Sequence, residues 1–210
     1  DAIITTGFLR EAADELKKAG LTEANLTGRK YSVTRYHITG DPAGYIDHRD
    51  PILFPEIVHG NNASWSLLNG GDGDLHTSLL LRSSYGKGRL YVMAVPENDA
   101  DLYRIPRAAV DVFKRALTLK KSDTYASGRN FSMFTYDDGS MILYRYVKAD
   151  VKPEHVTLRT GNKVKALKCI TDGRTIPVHE ITLHEDFEVF NEYVADVMIN
   201  PGEFKMYKWE

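Results

Sequence analysis

Apolar and polar positions along the chain repeat with two different periods, and the change falls near residue 121. Residues 2–6 read as a short buried strand closed by Gly7. Over residues 8–20, Leu9, Ala12, Ala13, Leu16 and Ala19 fall on one stripe at helical spacing and stop at a glycine, which predicts an amphipathic helix. Residues 30–38 alternate Tyr31, Val33 and Arg35 against Ser32, Thr34 and Tyr36, a strand pattern rich in β-branched and aromatic residues. From residue 39 to about 74 the prolines at 42, 51 and 55, repeated glycines and the clusters DHRD and GGDGD predict loops broken by short elements. Two apolar strands follow at 77–82 and 89–95, joined by SSYGKG. A second helix starts at Ile105-Pro106, turns Ala109, Val110, Val112, Phe113, Ala116 and Leu117 inward, and fades at Lys120-Lys121.

Beyond Lys121 no helical stripe survives. Strand-like runs at 130–136, 140–147, 156–160, 163–170, 176–183, 187–190, 193–199 and 204–209 are separated by turn sequences such as Asp137-Asp138-Gly139, Gly161-Asn162 and Asp172-Gly173. About eight short strands in roughly 85 residues fit a small antiparallel β-sandwich of immunoglobulin-like size. The expected architecture is thus α/β plus all-β: a partial flavodoxin-like α/β domain over residues 1–121, then a C-terminal β-sandwich over residues 122–210.

Composition narrows the function classes. Hydrophobic residues make up 42% and charged residues 27% of the chain, so a packed core is expected rather than disorder. The net charge of −2 is evenly spread, with 15 Lys+Arg and 15 Asp+Glu up to residue 120 and 12 and 14 after it. Without a basic half or cluster, neither nucleic acid nor an anionic membrane is expected as a partner. No window approaches the roughly 18 apolar residues of a membrane helix, so a soluble protein is expected, cytoplasmic, periplasmic or secreted. The single cysteine, Cys169, excludes an internal disulfide framework and a thiolate metal cluster.

Several short stretches carry candidate chemistry. Gly86-Lys87-Gly88 leads into a strand, whereas a phosphate-binding loop must lead into a helix whose free amides hold the phosphate, so a strand-connecting turn is the better reading and no cofactor is expected. Asp72, Asp74 and His76 alternate and could offer oxygen and nitrogen ligands to a metal, but the 12-residue calcium-loop pattern is missing and a polar turn before the strand at 77 is the better reading. Asp47-His48-Arg49-Asp50 brings acid, base and cation into one segment, read as a surface loop or a polar ligand-binding loop. Trp65, Tyr45 and Trp209 offer aromatic faces on which sugar rings could stack, or belong to the core. The candidate ligand-binding set is therefore Asp47, Arg49, Trp65, Asp72 and Asp74.

Residues 77–119, which include SSYGKGRLYVMAVPEN, resemble the closing part of a class I glutamine amidotransferase-like domain, in the non-catalytic form found in bacterial glycoside hydrolases as the β-galactosidase trimerisation-type domain. Thr5 to Leu9 resembles that family's mid-domain passage from strand to helix more loosely. The family's catalytic version uses a Cys on a strand-to-helix elbow and a His before Pro-Glu, because a thiolate needs a neighbouring base. Here Val95 precedes Pro96-Glu97, and residues 1–120 contain no Cys. The resemblance therefore implies no catalytic residues, further chain before Asp1, and a non-catalytic scaffolding or assembly region of a bacterial glycoside-hydrolase-like protein. Its implied partners are a second copy of the chain or a catalytic domain of the same polypeptide. A carbohydrate-binding module and a small metal-assisted hydrolase built on Asp72, Asp74 and His76 are the alternatives.

Overall fold

The computed structural model describes residues 1–41, 45–72, 75–118, 124–146, 152–185 and 188–210. Among them are fifteen strands and two α-helices. The chain divides into two compact units, one built on Asp1–Leu117, the other on Thr118–Leu183 and Val189–Glu210.

The first unit holds β1 (Ala2–Thr5), α1 (Thr6–Lys18), β2 (Asn25–Ile38), β3 (Tyr45–Val58), β4 (Ser64–Asp72), β5 (Leu75–Tyr85), β6 (Gly88–Met93) and α2 (Arg107–Thr118). Its six strands form one sheet in the order β1-β6-β5-β4-β2-β3. Only β1 and β6 pair in parallel, and the pairings β2–β3, β2–β4, β4–β5 and β5–β6 are antiparallel.

This arrangement corrects the expected flavodoxin-like domain. A doubly wound sheet needs a crossover, usually helical, between every two parallel strands. The region read as loops instead supplies two long strands, β3 and β4, both paired antiparallel, which leave no chain for such crossovers. Pro51 and Pro55 obscured β3 in the sequence; they are tolerated because β3 is the last strand of the sheet, where a missing N–H does not break a ladder on both sides. The segment DHRD is accordingly strand, not loop.

The SSYGKG segment does form a turn. Tyr85 pairs with Gly88 across a two-residue connection, and Gly86 has φ of 54°, as a type II′ hairpin requires at its first central residue. Thr5 caps α1 by accepting a hydrogen bond from the Phe8 amide, and Leu9 is the helix's fully buried contact. On α2, Ala109, Val112, Phe113 and Ala116 are buried, while Leu117, one residue and about 100° further round the helix, is exposed.

The second unit holds β7 (Thr124–Ser127), β8 (Phe131–Thr135), β9 (Ser140–Arg145), β10 (Glu154–Thr160), β11 (Ala166–Cys169), β12 (Thr175–Pro177), β13 (His179–Glu185), β14 (Glu188–Ile199) and β15 (Phe204–Trp209). They make a four-stranded sheet, β13-β14-β10-β7, and a five-stranded sheet, β12-β11-β15-β9-β8. One apolar cluster draws on both: Ala126, Val156, Leu158, Ala195, Val197 and Ile199 from the first, Met141, Leu143, Leu167, Cys169 and Tyr207 from the second. Two sheets burying alternate side chains between them make a β-sandwich. Strand β7 escaped the sequence reading because all four of its residues are buried, which removes the alternation that marks a half-exposed strand.

Gly70, in the middle of β4, shows how tightly the first unit is packed. A Cβ there would stand 2.5 Å from Leu79 Cδ1 and 2.8 Å from Val33 Cγ1. Gly70→Ala is therefore expected to destabilise the protein by about 1–3 kcal/mol through overpacking. Gly60, which has nothing within 4 Å of the equivalent position, should accept alanine without a comparable shift of the urea midpoint.

Candidate functional site

Strand β2 is hydrogen-bonded on both sides, and its ladder to β3 shifts register between Val33 and Arg35. The shift puts Val33 and Tyr36 both into the core, where each is fully buried. Arg35 and His37 then take the other face. Strict alternation would have grouped Arg35 with Val33, so the irregularity is what frees the arginine for solvent.

The neighbouring strands extend this face into two rows. Arg35 lies opposite Asp47 on β3 and Gly71 on β4, and Gly71 lies opposite His76 on β5. His37 lies opposite Tyr45 on β3 and Asn69 on β4. Gly71, between Arg35 and His76, contributes no side chain.

The groups in these rows hold one another. Arg35 Nε donates to Asp47 Oδ1 at 2.6 Å, and this hydrogen bond and the Asp47 charge raise the Arg35 pKa above its ordinary value, with Asp72 adding a smaller attraction. The Arg35 guanidinium stands 5.3 Å from the centre of the Tyr45 ring, and the His37 ring packs against the same tyrosine at 4.9 Å with a tilt of 36°. Tyr45 is nevertheless 63% exposed. A recess of about 500 Å³ is lined by Thr34, Arg35, Asp47, His48, Arg49 and Asp72, and an adjoining one of about 270 Å³ by Arg35, His37, Tyr45, Asn69, Gly71 and His76.

The structure thus brings Asp47, Arg49 and Asp72 to one recess, with His76 in the next. Trp65 is elsewhere: it lies opposite Arg82, whose guanidinium sits 5.5 Å from its ring, six residues or about 20 Å along β5 from His76. Asp74 lies outside the described residues. Among the described residues no three His, Cys, Asp or Glu side chains gather as a metal-binding set. The sequence reading missed Arg35, His37 and Asn69, although an arginine and a histidine in a predicted strand, with an aromatic between them, were the available signal.

Chemically the face offers both signs of hydrogen-bonding partner and one accessible aromatic ring, in a shallow and hydrated setting. The Val95 amide donates to Thr6 Oγ1, and Glu97 is engaged by Lys30 at 2.8 Å.

Comparison with known proteins adds nothing to this. No family model, curated protein or solved structure matches the chain. Among the described residues no helix is long and apolar enough to cross a membrane.

Beneath the site, on the core side of β2, the Tyr36 hydroxyl is buried without a hydrogen-bond partner. Burial pushes its pKa up, nearby Arg104 opposes that shift and Asp101 adds to it. An unpartnered buried hydroxyl carries a desolvation penalty of about 1–3 kcal/mol. Tyr36→Phe is therefore expected to leave the protein as stable as before or more so in chemical unfolding; a loss of more than about 1 kcal/mol would mean that the hydroxyl has a partner in solution.

Proposed function

We propose that the chain is a non-catalytic accessory region of a bacterial glycoside-hydrolase-like protein, and that it binds carbohydrate on the polar face of the first unit. The observation that carries the binding role is the exposed Tyr45 ring set beside the Arg35–Asp47 pair, His37 and Asn69. A sugar ring has apolar C–H faces and a rim of hydroxyls. An accessible aromatic face meets the first, and neighbouring guanidinium, carboxylate and amide groups meet the second. Arg49 and Asp72 add a cation and an anion at one end of the same face, so that the hydroxyls of a second residue in the chain of sugars would also find partners.

The accessory role rests on the resemblance of residues 77–119 to the closing segment of the non-catalytic amidotransferase-like domains, in which Val95 stands where a catalytic histidine would be. A scaffold that holds a sugar near a catalytic domain needs specificity and modest affinity, not activated groups, and a shallow hydrated face suits that task.

Isothermal titration against a panel of neutral and acidic oligosaccharides tests the reading. Binding is expected for at least one of them, and Tyr45→Ala should weaken it about tenfold, the worth of one aromatic contact. Arg35→Gln should weaken it too while leaving the unfolding midpoint close to that of the unaltered protein, because the ion pair is exposed. Absence of binding at millimolar sugar throughout the panel would end the proposal.

A further inference from the structure

A second recess, of about 390 Å³, opens at one end of the β-sandwich and is unrelated in sequence to the face of the first unit. Its walls come from both sheets: Thr124 on β7 and Thr160 on β10 from one, Trp209 on β15 from the other, with Tyr136 and Asp137 from the β8–β9 turn and Asn162 from the β10–β11 turn. We infer that this recess is a binding site for a neutral saccharide of one or two rings.

The lining decides the chemistry. Trp209 and Tyr136 present aromatic surface, Tyr136 being half exposed. Asp137 and Asn162 are exposed, and neither side chain has a hydrogen-bond or ion-pair partner among the described residues, so their oxygens and amide remain available to hydroxyl groups. None of the lining residues is Lys, Arg or His, and one is a carboxylate, which disfavours an anionic ligand. Aromatic surface with acceptors and donors but no cation matches an uncharged polyol ring.

The Trp209 ring and the backbone of both turns are held in place before any ligand arrives. Trp209 Nε1 donates to Thr124 Oγ1 at 2.9 Å, tying the ring across the two sheets. The turn carrying Tyr136 and Asp137 is closed by the Tyr136 amide donating to the Ser140 carbonyl and by Asp138 Oδ1, which accepts from both the amide and the hydroxyl of Ser140. Those two hydrogen bonds, with Lys208 at 3.2 Å, lower the Asp138 pKa to about 2. The Asn162 amide donates to Thr160 Oγ1, fixing the other turn. With the indole and the turn backbones already ordered, only the Tyr136, Asp137 and Asn162 side chains lose freedom on binding, so a small recess can still hold its ligand.

The test uses the full chain carrying Tyr45→Ala, so that failure of the first site and failure of this one are told apart. The indole N–H resonance of Trp209 is followed by NMR while maltose, cellobiose, lactose and, separately, glucuronate are added to millimolar concentration. A saturable shift with at least one neutral disaccharide is expected, weakened about tenfold by Tyr136→Ala and by Asp137→Ala, both exposed positions that the fold does not depend on. No shift with any neutral sugar, a shift that neither substitution changes, or equally tight binding of glucuronate would overturn the assignment.

Discussion

The register shift in β2 between Val33 and Arg35 is the constraint on which the first unit turns. β2 is paired on both sides, so its residues have only two directions in which to point, and one extra residue reverses them. Before the shift Val33 reaches the core. After it Tyr36 does, with Arg35 and His37 delivered outward. Gly70 answers the same crowding from β4, since any side chain there would collide with Val33 and Leu79. The polar face and the close-packed core are thus two sides of a single backbone decision, and neither could be altered alone.

The second unit is organised differently. Its core needs only that two sheets each turn alternate residues inward, and the inward set includes the one thiol, Cys169, whose pKa burial raises above the usual value. Arg145 is the exception among these inward positions: almost wholly buried, it is accommodated by its Nη1 donating to the Ile199 carbonyl at 3.2 Å and by Glu154 at 4.0 Å from its Nη2. A charge kept inside must be partnered, and here a backbone carbonyl and a carboxylate share that duty.

Periodicity in the sequence foretold what depends on periodicity. The two helices, the strands around SSYGKG and most strands beyond residue 121 were legible because burial on one face leaves a period in the sequence. What it hid has local causes. β3 was masked by Pro51 and Pro55, whose turn propensity is overridden at a sheet edge, and β4 by Gly70 and Gly71, of which Gly70 is there for close approach rather than for bending. Without these two strands, a sheet that is antiparallel except for its β1–β6 pair reads as a doubly wound one. The candidate site was half legible for the same reason: Asp47, Arg49 and Asp72 stood out as charged clusters, whereas Arg35 became visible only once the shift in β2 was known. Trp65 was chosen for its residue type alone, and its place opposite Arg82 could not be read without the strand pairing.

The outer side of β3 also limits how molecules of this protein can meet. A bare sheet edge is a template on which a strand of another chain can grow. Pro51 and Pro55 have no N–H to offer such a strand, and the Leu53 carbonyl between them is already taken by the Glu97 amide at 3.0 Å. The residues that made this strand look like a loop therefore also guard it. Association through that stretch by continuing the sheet is blocked at three consecutive alternate positions, so any partner that comes to this side must be recognised by side chains instead of by backbone.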